Sequence, residues 1–139
     1  MTEDETKELG RFELRQEPET GFLRIIHEGT LTEEGARSLA AEYERFAPAE
    51  GAAFVIADYR KATGITFGGR RALAATRLRG EIYFANFGAP FAHRVVSNLV
   101  IRAVGIFVPV VSEAFASEAE ARAWLTQKRN AYLAQKRSP

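Results

Sequence analysis

A chain of 139 residues, 46% of them apolar, is long enough for one domain with a real core, and nothing in its composition argues for disorder across the body. It contains no cysteine, which excludes disulfides, thiolate metal sites and thiol nucleophiles together. The net charge of +1 hides blocks, because residues 1–58 hold 14 acidic and 6 basic side chains, residues 59–112 hold 1 and 8, and residues 113–139 hold 3 and 5. Such blocks either give a dipolar surface that steers partners or face each other in the fold.

The chain opens on TEDETKE, an acidic stretch with no apolar run behind it, so residues 1–9 are expected to be a frayed tail and the protein cytoplasmic. Phe12 and Leu14 alternate with Arg11, Glu13 and Arg15, the period of a strand with one wet face. Pro18-Glu19-Thr20-Gly21 is turn chemistry, and residues 22–27 follow as a second strand, closing a hairpin. Thr32 before Glu33 and Glu34 reads as a helix start: the threonine caps free amides and the acids meet the positive end of the dipole. Ala36, Leu39, Ala40, Tyr43 and Phe46 form the buried stripe, and Pro48 stops the helix.

Residues 53–57 are apolar without interruption, which suits a strand covered on both faces, and a charged loop is expected from Asp58 onwards. Gly68-Gly69 is expected to open a second helix carrying Ala72, Ala75, Leu78, Ile82 and Ala85, with a break available at Gly80. His27 and His93 read as strand-end polar residues. Residues 92–97 are expected as a third core strand. The stretch 99–111, apolar apart from Arg102, is expected as a core or interfacial helix, too short at 13 residues to span a bilayer. A short strand at 113–116 precedes a final helix that Ser117 and Glu120 cap reciprocally, with Ala121, Trp124 and Leu125 on its buried face.

Alternating strands and helices imply an α/β domain with a mixed sheet. The strand ending in ADYRKATG, the run HRVVSNLVIRAVGIFVP and above all the closing EAFASEAEARAWL resemble the SpoIIAA-like or STAS/SEC14-type domains of bacteria over residues 11–127. The most specific part, Phe115, Ser117, Glu120, Ala121 and Ala123-Trp124-Leu125, is a packing signature without chemistry. The resemblance implies a STAS-like mixed sheet of about four to five strands flanked by helices in a single domain, residues 10–127, between the acidic tail and a basic C-terminal helix end at 128–139. For the best-known members it also implies an anti-sigma-factor antagonist switched by phosphorylation. Those members carry an Asp-Ser-Ser-Gly type motif where this chain has Thr66-Phe67-Gly68-Gly69, so the usual phosphoserine switch is not expected here.

Function in such folds gathers at the carboxyl end of the central strand, which makes Asp58, Arg60, Lys61, Thr63 and Thr66 the regulatory-loop candidates. Thr63 and Thr66 read first as turn and cap residues and second as phosphate acceptors at a helix start. Arg70, Arg71, Arg77 and Arg79 form a basic surface, but they do not share one helical stripe, which disfavours nucleic acid. Ile101, Ile106, Phe107 and Val110 are candidates for a homodimer interface or the wall of a pocket for a small apolar ligand. The two histidines lack spaced partners, so neither a metal nor another cofactor is expected. No nucleophile or oxyanion donor accompanies the acids, so no enzyme is expected either. The reading is a non-catalytic regulatory or protein-interaction module, with a carrier or sensor of a small apolar ligand as the alternative.

Overall fold

A computed structural model describes residues 11–46, 51–75, 81–88 and 110–137. Five strands form one sheet in the spatial order β1-β2-β3-β4-β5, with β1 (Arg11–Gln16) antiparallel to β2 (Leu23–Leu31) and every later pair parallel. The remaining strands are β3 (Ala52–Ile65), β4 (Glu81–Phe87) and β5 (Val110–Phe115). Parallel neighbours need a crossover, and two of these crossovers carry the helices α1 (Glu33–Phe46) and α2 (Phe67–Ala75). A third helix, α3 (Glu118–Arg137), follows β5. The expected α/β domain with a mixed sheet is therefore the observed one.

The sheet is buried on both faces because alternate residues of β2, β3 and β4 are apolar in both directions. Leu23, Ile25, Val55, Ala57 and Ile82 meet Leu39 and Tyr43 of α1 on one face. Phe22, Ile56, Ala85 and Phe87 meet Ala121 and Leu125 of α3 on the other. Of the stripe expected on α1, Ala36, Leu39 and Tyr43 are buried, Ala40 is half-buried and Phe46, in the last turn, is exposed, and the Thr32 hydroxyl accepts the Gly35 amide at 3.1 Å as the helix cap. Ser117 caps α3 in the same way, accepting the Glu120 amide at 3.3 Å.

Four expectations are corrected. The segment from Asp58 to Lys61 is not a loop: β3 continues through it to Ile65, paired with β2 alone once β4 has ended opposite Asp58. A two-stranded ribbon needs only one apolar face, which is why Lys61 and Thr63 are exposed there while Ala62 and Gly64 are half-covered. Second, Ile82 and Ala85 are not helical. They lie on opposite faces of β4, and a strand covered on both sides produces apolar spacings that imitate a helix. Third, Val110 and Val111 open β5 instead of closing a helix. The core strand expected at 92–97 and the body of the helix expected at 99–111 lie outside the described residues; β4 takes the position beside β3. Fourth, His27 sits within β2 and is buried, not at a strand end.

Trp124 is half-buried against Phe115, at 5.8 Å between ring centroids, with the Lys128 ammonium over its ring, while its neighbours Ala121 and Leu125 are fully buried. The anchor of α3 is therefore Leu125 rather than Trp124. Leu125→Ala should cost about 2–5 kcal/mol in urea denaturation and Trp124→Ala clearly less, since a half-exposed ring leaves no closed cavity. Helix α2 is seated by the absence of a side chain: a Cβ at Gly69 would stand 2.7 Å from the Leu31 carbonyl oxygen and 3.0 Å from Ile65 Cγ1. Because one of those atoms is backbone, Gly69→Ala should destabilise by about 1–3 kcal/mol in the same assay.

Candidate functional site

Asp58 of β3 lies in register with Phe87 and Phe115, the last residues of β4 and β5. Asp58 points towards α3 and is buried, so its charge must be matched inside the protein. Arg60 matches it: its backbone amide and Nε each donate to Oδ1 at 3.0 Å, and Nη2 donates to Oδ2 at 2.7 Å. Burial by itself would raise the Asp58 carboxyl, but these hydrogen bonds outweigh it and leave the group below its ordinary value. The Arg60 guanidinium also lies 5.5 Å from the centroid of Phe87. The chain can turn out of β4 beside Arg60 only through Gly88, at φ +83°, because a Cβ there would collide with Arg60 Cγ.

Asp58 ends a longer line of alternating charge. Arg24 reaches it at 3.7 Å and Glu118 at 3.2 Å, and Arg122 binds Glu118 at 2.7 Å and Glu17 at 2.6 Å. The line ties the hairpin turn, β2 and β3 to the first turn of α3. Arg122 holds Glu17 down to about 2 against the opposing effect of burial. On the opposite face the polar groups are neutral. His27 packs edge-on to Tyr59 at 5.2 Å, and burial lowers its imidazole to about 4. Asn86 is fully buried, its Nδ2 donating to the Glu113 carbonyl at 3.5 Å while its Oδ1 has no hydrogen-bond partner among the described residues.

The regulatory-loop candidates divide into three groups. Asp58 and Arg60 bind each other; Lys61 pairs with Glu28 at 3.6 Å and Thr63 shares a 2.8 Å hydrogen bond with Thr30 on the exposed ribbon. Thr66 accepts the Gly69 amide at 3.0 Å, the cap of α2 that its position suggested. Arg70 and Arg71 lie exposed on α2, with Arg71 3.7 Å from Glu33, whereas Arg77 and Arg79 lie outside the described residues. So do Ile101, Ile106 and Phe107, while Val110 belongs to β5. Among the described residues no cluster of three or more metal-ligating side chains occurs, and no helix is long and apolar enough to cross a membrane.

The sequence reading passed over Phe67. It is the first residue of α2 and 77% exposed, the Arg71 guanidinium 5.8 Å from its ring centroid. Its signal was a large aromatic directly after a capping threonine, where a helix's first turn faces away from its own core. The ionic line was also missed, although Arg24 is the lone charge in Phe22-Leu23-Arg24-Ile25-Ile26 and Glu118 and Arg122 stand at helical i,i+4 spacing.

This arrangement of strands and helices matches a solved structure. The fold is SpoIIAA-like. The crystal structure of an uncharacterized protein from the DUF3478 family with a SpoIIAA-like fold, from Shewanella loihica PV-4, superposes with a TM-score of 0.59 at 15% identity, over 84% of this chain and 93% of that one. At that identity the likeness concerns the fold, and it agrees with the SpoIIAA-like resemblance of the sequence. No family model matches the chain, and no curated protein does.

The two faces of the SpoIIAA-like sheet titrate in successive windows. The folded pKa of His27, about 4, lies below its ordinary 6.5, so the unfolded chain takes up that proton first and stability falls as pH drops from about 6.5 to 4. Glu17, depressed from 4.5 to about 2, contributes stability that is present above pH 4.5 and lost as pH falls towards 2. Melting temperatures recorded from pH 8 to pH 2 should decline in both windows. His27→Phe should flatten the first, and Glu17→Gln should make the second shallower without removing it, because Asp58 and Glu118 are held below their ordinary values as well.

Proposed function

We propose that this chain is a non-catalytic regulatory or protein-interaction module that receives its partner at the carboxyl end of the sheet, around Phe67. The observation that carries this reading is the exposure of Phe67, 77%, the highest among the large apolar residues described. Leaving such a ring in water is unfavourable, and a rigidly placed aromatic beside an arginine is the composition of an interface hot spot. Its rigidity has a local cause, because the Thr66 cap and the close seat of Gly69 on Leu31 hold the first turn of α2 to the ribbon. Lys61, Arg70 and Arg71 supply a cationic rim. The acid at this end, Asp58, has its lone pairs engaged by Arg60, which favours a structural role for it over a catalytic one.

The test is affinity capture from the source cell with the wild-type chain, Phe67→Glu and, as a control, Leu133→Glu on the exposed side of α3. Both variants replace exposed side chains, so their melting temperatures should stay near that of the wild type. A partner held by the wild type and by Leu133→Glu should bind Phe67→Glu at least about tenfold more weakly. Equal retention by Phe67→Glu would refute the site.

A further inference from the structure

We propose that the partner received at Phe67 is a second copy of this chain, docked across a two-fold axis that sets the starts of α1 and α2 against their counterparts. This deepens the reading given above and rests on it. The two helix starts form one surface: a Cβ at Gly68 would stand 3.1 Å from Glu33 Cβ, and the Arg71 guanidinium lies 3.7 Å from Glu33 and 5.8 Å from the Phe67 ring centroid. Arg71 therefore has its partners within the molecule. Two other charges on this surface do not. Glu34, in the first turn of α1, and Arg70, on the Phe67 face of α2 at i,i+3 spacing, are both exposed, and neither makes an ion pair or a side-chain hydrogen bond among the described residues.

An exposed ring accompanied by one unmatched acid and one unmatched base is complementary to itself. A two-fold axis makes the same patch serve on both sides, so that Phe67 meets the ring of the second copy, Arg70 faces Glu34 of the partner subunit and Glu34 faces the partner's Arg70. A surface of one sign would instead call for a partner of the other sign. Ring contact withdraws from water the large apolar side chain that the fold leaves out, and the symmetry repeats each ion pair. The pairs lie at the rim, where charges set register and exclude wrong arrangements more than they add affinity. The patch is well short of the roughly 20–30 residues a side of a standard interface, so the dimer is weak, dissociating near about 0.1 mM.

Sedimentation equilibrium of the full-length chain at up to about 1 mM should show a monomer–dimer equilibrium. Phe67→Glu should abolish the dimer and Leu133→Glu on α3 should leave it unchanged. Arg70→Glu and Glu34→Arg should each weaken it at least about fivefold, because either one sets like charges opposite each other twice. The decisive sample is the equimolar mixture of those two variants. Across the two-fold axis every acid of one chain then faces a base of the other, so the mixture should dimerise within about threefold of the wild type. All four substituted side chains are exposed, so melting temperatures should stay near that of the wild type and separate loss of the dimer from loss of the fold. A wild type that remains monomeric would overturn the proposal, as would a dimer that survives Phe67→Glu or yields to Leu133→Glu, or a mixture that dimerises no better than its components. A monomeric wild type alongside a captured protein lost by Phe67→Glu removes self-association and keeps the docking site, whereas a partner retained by Phe67→Glu removes the site itself.

Discussion

Strand β3 has to be covered on both faces, and the architecture follows from that requirement. Val55, Ile56 and Ala57 are fully buried and point alternately to opposite sides of the sheet, so neither one helix nor one neighbouring strand can shelter them. Helix α1 covers one side, α3 the other, and β2 and β4 saturate the backbone between them. Because both flanking pairs are parallel, the chain must cross over each time, which sets Asp58 of β3 in one row with the ends of β4 and β5 and carries the rest of β3 beyond it as the ribbon from which α2 starts.

The row ends in a charge that the interior has to neutralise. Asp58 is the last residue of β3 with a neighbour on both sides, and it lies below the surface where the core gives way to the ribbon. A buried carboxylate is tolerated only with its hydrogen bonds met, and Arg60, two residues further along the same strand, can fold back to meet them. Arg24 carries the pairing across to α3 through Glu118 and Arg122. Such a line adds little net stability compared with an apolar replacement, but removing one member strands the next, so it acts as a geometric lock between α3 and the hairpin. The lock leaves the ribbon beyond it free of helix packing on the α3 side among the described residues, which is how Lys61 and Thr63 come to be exposed on a strand that is otherwise central.

Near this end, chemistry and recognition separate. The groups that could titrate usefully are either matched, as Asp58 and Glu17 are, or buried in neutral form, as His27 is. Among the described residues, Phe67 and the cations Lys61, Arg70 and Arg71 are exposed beyond them. A helix that begins immediately after a ribbon turns its first residue outward, since the Thr66 cap and the Gly69 contact consume the inward positions.

Much of the fold was legible in the chain itself, where the physical causes are local. Alternation in Phe12 and Leu14, the turn at Pro18 to Gly21, the caps at Thr32 and Ser117 and the unbroken apolar run 53–57 each depend on neighbours within a few residues, and each appears in the structure. The alternation of strands and helices implied the mixed sheet, the resemblance to SpoIIAA-like domains pointed to the same architecture, and the fold agrees. What the chain could not reveal depends on which strand ends first. Whether Asp58 to Ile65 is loop or strand is decided by β2 running on to Leu31 while β4 stops at Phe87, a difference in length between strands far apart in sequence. The strand character of Ile82 to Ala85 was hidden for a related reason, because burial on both faces erases the alternation that distinguishes a strand from a helix. The exposure of Phe67, the burial of His27 and the joining of Glu17 to Arg122 across 105 residues are properties of packed surfaces, and only the tertiary structure creates those.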